Sequence, residues 1–204
     1  LKTGASDTDS SYQAGGGIKN AIHSHRIVKK GLLIETQILV DLQANGNGTI
    51  WGPTTDRDVI GEATARETGA VDDAQLMTWE DDKHGAFRSV SMHCLEVPAG
   101  GAHAITDIAL AAVNGAKKHG EGSTIADDAA GDLINPKGAW AAGKIIAGGV
   151  LAGDHDGVVD VGAKVVDGHE IYLVSGANAA GTDTNYTSGK FLITFIGADI
   201  SAGF

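Results

Sequence analysis

The chain has 204 residues, enough for one sizeable core, with 30 glycines, 3 prolines and 5% aromatic side chains, a composition of many tight turns that fits an all-β domain. Its 15 basic against 26 acidic residues give a net charge of −11 and a pI near 5.0, so its surface repels nucleic-acid phosphates and anionic membranes, and neither is expected as a partner. No apolar run approaches the ~18 residues of a membrane-spanning helix, and the one cysteine, Cys94, has no partner for an internal disulfide.

Residues 1–20, LKTGASDTDSSYQAGGGIKN, are polar and glycine-rich, with Tyr12 and Ile18 the only bulky apolar side chains after Leu1. Such a stretch builds no core alone and reads either as an arm ordered only against a partner or as a disordered tail; residues 1–26 are expected to form an extended N-terminal arm. Residues 27–42, IVKKGLLIETQILVDL, carry the clearest strand signal. Ile34, Thr36, Ile38, Val40 and Leu42 share one face, Glu35, Gln37 and Asp41 the other, and Leu39 interrupts the polar side. The stretch QANGNGTIWGPTTDRD that follows reads as a long surface loop with Trp51 as an anchor or contact.

Further strands are expected over 74–79, 86–97, 105–113, 139–151, 171–175 and 191–196, with Cys94 at a buried strand position. Residues 104–118 also suit a helical period. A short helix is expected within 123–133, where Ser123 can cap and Asp127 and Asp128 lie near the N-terminal end. No repeat of roughly 20–50 residues recurs, which excludes a solenoid or propeller. Strands joined by glycine-rich turns without regular intervening helices predict an all-β protein. The expected form is a jelly-roll-like β-sandwich with long loops, a single domain over 27–204 that follows the arm. Its expected core includes Ile34, Ile38, Val40, Val90, Met92, Leu192 and Phe195.

Chemistry-bearing motifs are weak. TSGKF at 187–191 looks like the end of a phosphate-binding loop, but the first glycine of that motif is replaced by Thr184 and its hydroxyl position by Phe191. Lys190 is therefore read as a polar flank, and residues 186–189 as a turn that feeds the last strand. His23 and His25 form the best metal candidate, since alternate strand residues present both imidazoles on one face. Two ligands do not make a site, and His84, His93, His103, His119, His155 and His169 are scattered. AGGAHAITD and AGDLINP echo pieces of the copper–zinc superoxide dismutases, but the chain lacks that family's disulfide, so His23 and His25 are read as part of the arm. The run from Asp154 to Asp160 misses the EF-hand pattern and reads as a turn. Asp72, Asp73, Glu80, Asp81 and Asp82 read as solvated loop charges. There is no Gly-x-Ser-x-Gly elbow and no diagnostic frame around Cys94. No catalytic, cofactor-binding or metal-binding residue is assigned.

Three stretches taken together carry a resemblance: GLLIETQILVDL (31–42), CLEVPAGGAHAITDI (94–108) and YLVSGANAAGTDTNYTSGKFLITFIG (172–197). Their combination resembles small virion structural proteins of tailed bacteriophages, including those that decorate or cement the capsid. The 45–58 and 109–122 regions depart from that group in being long and polar. The resemblance implies a non-enzymatic protein on the outer capsid surface of the virion, partnered by the major capsid protein and by itself as a homotrimer, and needing no cofactor. Tyr12, Ile18, Trp51 and Trp79 are then expected at capsid or subunit contacts. The alternatives are a virion fibre or receptor-binding module on a similar sandwich, and a metal-dependent β-sandwich enzyme using His23 and His25.

Overall fold

The computed structural model describes residues 18, 21–43, 50–52, 58–61, 74–100, 107–114, 132–136, 138–149, 165–175 and 184–199. Strand β1 (Ile22–Lys30) turns at Gly31 and Leu32 into β2 (Leu33–Asp41), and all nine residue pairs stay in register from Lys30↔Leu33 to Ile22↔Asp41. Gly31 takes φ +65°, the left-handed backbone that a two-residue hairpin loop requires and that glycine adopts without penalty. The strand read over 27–42 is thus two strands. The expected arm boundary at residue 26 also falls inside β1, because the first half of that strand is held by the main-chain ladder to β2 and needs little apolar surface of its own.

The remaining described elements are β3 (Ile50–Gly52), β4 (Gln75–Thr78), the one-turn helix α1 (Asp81–His84), β5 (Ala86–Gly100), β6 (Ala109–Asn114), β7 (Asp132–Ile134), β8 (Ile145–Gly149), β9 (His169–Val174) and β10 (Thr184–Ala198). They form two antiparallel sheets. The larger runs β1-β2-β10-β5-β8, with β3 continuing the β2 side of β10; the smaller runs β4-β9-β6-β7. The fold is all-β, a two-sheet sandwich.

β10 organises the larger sheet. Residues Lys190 to Ala198 pair with β2, Thr184 to Tyr186 pair with β3, and the other edge pairs with β5 from Tyr186 to Ala198. Residues 186–189 are strand, where the sequence predicts a turn. Gly189 supplies the irregularity: its φ of +131° accompanies register shifts on both sides, and an added Cβ would lie 2.9 Å from Pro98 Cα. The glycine marks a bulge in a continuing strand.

The core lies between the sheets. From the larger sheet it takes Ile38, Val40, Val90, Met92, Cys94, Phe191, Ile193 and Phe195, and from the smaller Leu76, Met77, Leu110, Leu133, Ile134, Ile171 and Leu173. Leu192, expected in this core, is only partly buried on the opposite face, because the two-residue strand period turns Phe191, Ile193 and Phe195 inward and leaves Leu192, Thr194 and Ile196 outside. Two tryptophans span the layers. Trp79 packs against Phe87 and Phe195 with ring centroids 5.5 Å and 5.6 Å away, and Trp140 packs edge-on to Phe191 while its Nε1–H donates to the Ile108 carbonyl at 2.7 Å.

Of the helical expectation over 123–133, Asp132 and Leu133 lie in β7 and the rest is outside the described residues. The expected strands over 105–113 and 139–151 begin later, at Ala109 and Ile145.

Candidate binding surface

The buried titratable groups His84, Cys94 and Tyr186 lie in the sandwich interior. His84 closes α1 with no exposed surface, and Thr36 Oγ1 lies 2.8 Å from its Nδ1. Burial, then the neighbouring charges of His25 and Lys83, lowers its pKa to about 4 against a hydrogen bond to the Thr78 backbone. Cys94 is fully buried on the inner face of β5, and burial followed by Glu96 raises its thiol pKa, away from the thiolate that a nucleophile needs. Tyr186 is pushed upward by burial and by Asp107. These shifts follow mainly from enclosure in the core.

The His-x-His pair sits on β1, His23 opposite Val40 and His25 opposite Ile38. His25 faces inward toward His84, whose pKa it helps to lower. Among the described residues no three His, Cys, Asp or Glu side chains come together as a metal cage.

The contact candidates separate. Ile18 is 2% exposed and belongs to the core cluster. Trp79 has no exposed surface: its indole lies 5.0 Å from the His84 ring and its Nε1–H donates to Asp81 Oδ1 at 2.9 Å. It is an internal pillar and correspondingly unavailable to a partner, since the β4 segment turns it inward onto β5 and β10. Trp51 stands in β3 opposite Asn185; its side chain and the whole of Tyr12 lie outside the described residues. So do Asp72, Asp73 and the Asp154–Asp160 run. Glu80, Asp81 and Asp82 are the cap and first turn of α1, with Glu80 paired to Lys83 and the Asp81 amide donating to Asp167 Oδ1 at 3.0 Å.

What sequence reading missed is a surface. The register of the larger sheet aligns its outward residues in rows, Ser24–Leu39–Leu192–His93–Ile145, then Arg26–Gln37–Thr194–Ser91–Ala147, then Val28–Glu35–Ile196–Ser89–Gly149. Leu39, Leu192, Ile145, Val28 and Ile196 interrupt this face, where a solvated sheet face is ordinarily polar, and most of the remaining positions are small or uncharged. At its margins Ile22, Leu33, Leu95 and Ile145 are strongly exposed, Ile145 at 60%.

Charge is nearly balanced here. Arg26, Lys30, Arg88 and Lys190 stand against Glu35, Asp41 and Glu96, a sum of 4 − 3 = +1 on a chain of −11. Lys30 Nζ to Glu35 Oε2 spans 2.6 Å and Lys190 Nζ to Asp41 Oδ2 spans 2.9 Å. The Asp41 hydrogen bond and charge raise the Lys190 pKa, which fixes the role of the lysine in TSGKF as a sheet-face ion-pair partner of β2. The signal for this face was present in the sequence as Leu39, Leu192 and Ile196 at outward parity. It could be recognised only once the pairing of distant strands set them side by side.

Comparison of the chain with protein-family models, with curated proteins and with solved structures returns no match.

Proposed function

We propose that the chain is a non-enzymatic virion structural protein that binds the outer surface of a tailed-phage capsid and stabilises it, with the major capsid protein as partner and copies of the chain associating as a homotrimer. The observation that carries this reading is the near-neutral outer face of the larger sheet, where Leu39, Leu192, Ile145, Val28 and Ile196 stand among small polar residues. Five residue rows about 6.8 Å apart cross β1, β2, β10 and β5, which lie about 4.8 Å apart, and three of the rows continue onto β8, a plate of about 700 Å². That is close to the roughly 800 Å² per partner of a standard protein interface. The acidic remainder of the surface stays toward solvent and keeps decorated particles apart. The sequence resemblance to capsid-decorating proteins supports the same assignment, and also the jelly-roll refinement of the sandwich.

The test has two parts. Immunogold imaging of particles from the source culture, with antibody to the chain, is expected to label capsid shells; label confined to tails assigns the fibre role, and unlabelled particles end the virion reading. The double variant L192E/I145E is expected to fold with an unchanged circular dichroism spectrum and to lose at least tenfold in cosedimentation with capsids. Undiminished cosedimentation moves the attachment surface off this face.

A further inference from the structure

We infer that the edge of β1 turned away from β2, at Ile27 and Lys29, receives an extended acidic strand from a partner protein, which adds to the larger sheet as its next member. This goes beyond the capsid reading and stands on β1 alone, whatever the source of the partner.

Among the described residues β1 pairs only with β2, and it does so over nine unbroken positions, so its second edge runs straight for the whole strand. A two-residue hairpin loop makes Lys30 and Leu33 a pair that exchanges both hydrogen bonds, and the alternation of an antiparallel ladder then directs the main-chain N–H and C=O of Lys29 and Ile27 away from β2. Those groups are the template for strand addition. No bulge twists the edge away, and Ile22 and Leu32 beside it are 56% and 55% exposed.

Charge selects the occupant. β1 reads IHSHRIVKK: Arg26, Lys29 and Lys30 with no acidic residue, on a chain whose total is −11. Lys29 pairs with Asp199 and Lys30 with Glu35, yet both ammonium groups keep more than half their side-chain surface exposed, and Arg26 is exposed on the outer face. A second copy is the wrong guest. Antiparallel β1–β1 pairing centred on Arg26 sets that guanidinium directly against its twin and places Lys29 opposite His23, so no acidic side chain meets any of the cations and the like-charge pair at the centre disfavours it. An incoming strand with carboxylates opposite Arg26 and Lys30, four residues apart on one face, meets complementary charge at both.

The experiment uses the full chain and two synthetic peptides of β1's own length, one alternating glutamate with valine and one alternating lysine with threonine. Fluorescence anisotropy is expected to show binding of the acidic peptide, weakened by added salt, and none of the basic one. Hydrogen exchange should slow at the Ile27 and Lys29 amides and nowhere on β8. Arg26→Glu, at an exposed position, is expected to weaken the acidic peptide about tenfold while leaving the melting temperature in place. Equal binding of both peptides, protection on another strand, or no binding of the acidic peptide overturns the inference. A negative result with capsids leaves it standing, because no capsid enters the assay.

Discussion

Thr36 Oγ1 and His84 Nδ1 meet at 2.8 Å in the interior of the sandwich, where neither side chain reaches solvent. The contact ties α1 to β2, and burial together with the nearby His25 and Lys83 holds the imidazole neutral. Because the folded pKa is about 4 against an ordinary 6.5, the unfolded chain binds the proton first as pH falls. Stability should be level above pH 6.5, decline between 6.5 and 4, and lose about 3 kcal/mol across that window from this group. His169, lowered by burial, adds in the same direction. Urea unfolding at several pH values checks this, and His84→Gln should flatten the slope while lowering stability at neutral pH.

Gly197 is the second constraint at that end of the sheet. A methyl group there would fall on the His84 carbonyl oxygen, and one at Gly85 would fall on Ala198, so both glycines exist to let α1 and β10 touch through their backbones. Gly197→Ala is expected to cost about 3 kcal/mol, read as a lower urea midpoint with an unchanged slope.

Trp79→Ala is expected to cost about 3–5 kcal/mol because it empties the space between Phe87, Phe195 and His84. Trp79→Phe, which keeps a ring but loses the bond to Asp81, should cost less than half as much. A surface contact residue would show neither effect, so thermal melting of the two variants distinguishes pillar from contact.

Ile18 divides the N-terminal segment into two experimental lengths. Removing residues 1–17 is expected to leave the melting temperature within a few degrees, whereas removing 1–19 also takes a side chain that is 2% exposed in the core and should destabilise by about 2–4 kcal/mol. Ile18→Ala in the full chain is expected to reproduce most of that loss.

How much of this was legible from sequence depends on the range of the interaction. Alternation within one strand is local, and it located β2 with Ile34, Ile38 and Val40 on its buried face, most of β5, and the burial of Cys94. Glycine misled where its backbone freedom was used inside a strand: Gly189 marks a bulge, and the hairpin at Gly31 was passed over in favour of one long strand. β3 and α1 were missed because three or four residues carry too little period to detect. Trp79 was misjudged because an aromatic beside three acidic residues looks solvated until Phe87 and Phe195 are known to reach it. The candidate surface was least legible, since its rows join residues up to a hundred and more positions apart.

The central place of β10 also sets the order of events on the ribosome. β2 and β5 do not pair with each other; each waits for residues 184–198, which emerge more than eighty positions after β5 is complete. Until then the nascent chain holds the β1–β2 hairpin and a fifteen-residue β5 that can pair with β8 along one edge while its other edge stays open, and the long loop closures that join them make the final step slow. Growing chains on one polysome therefore present matching unpaired edges to one another. Synthesis of this protein should depend on holdase chaperones more heavily than its folded stability alone would indicate.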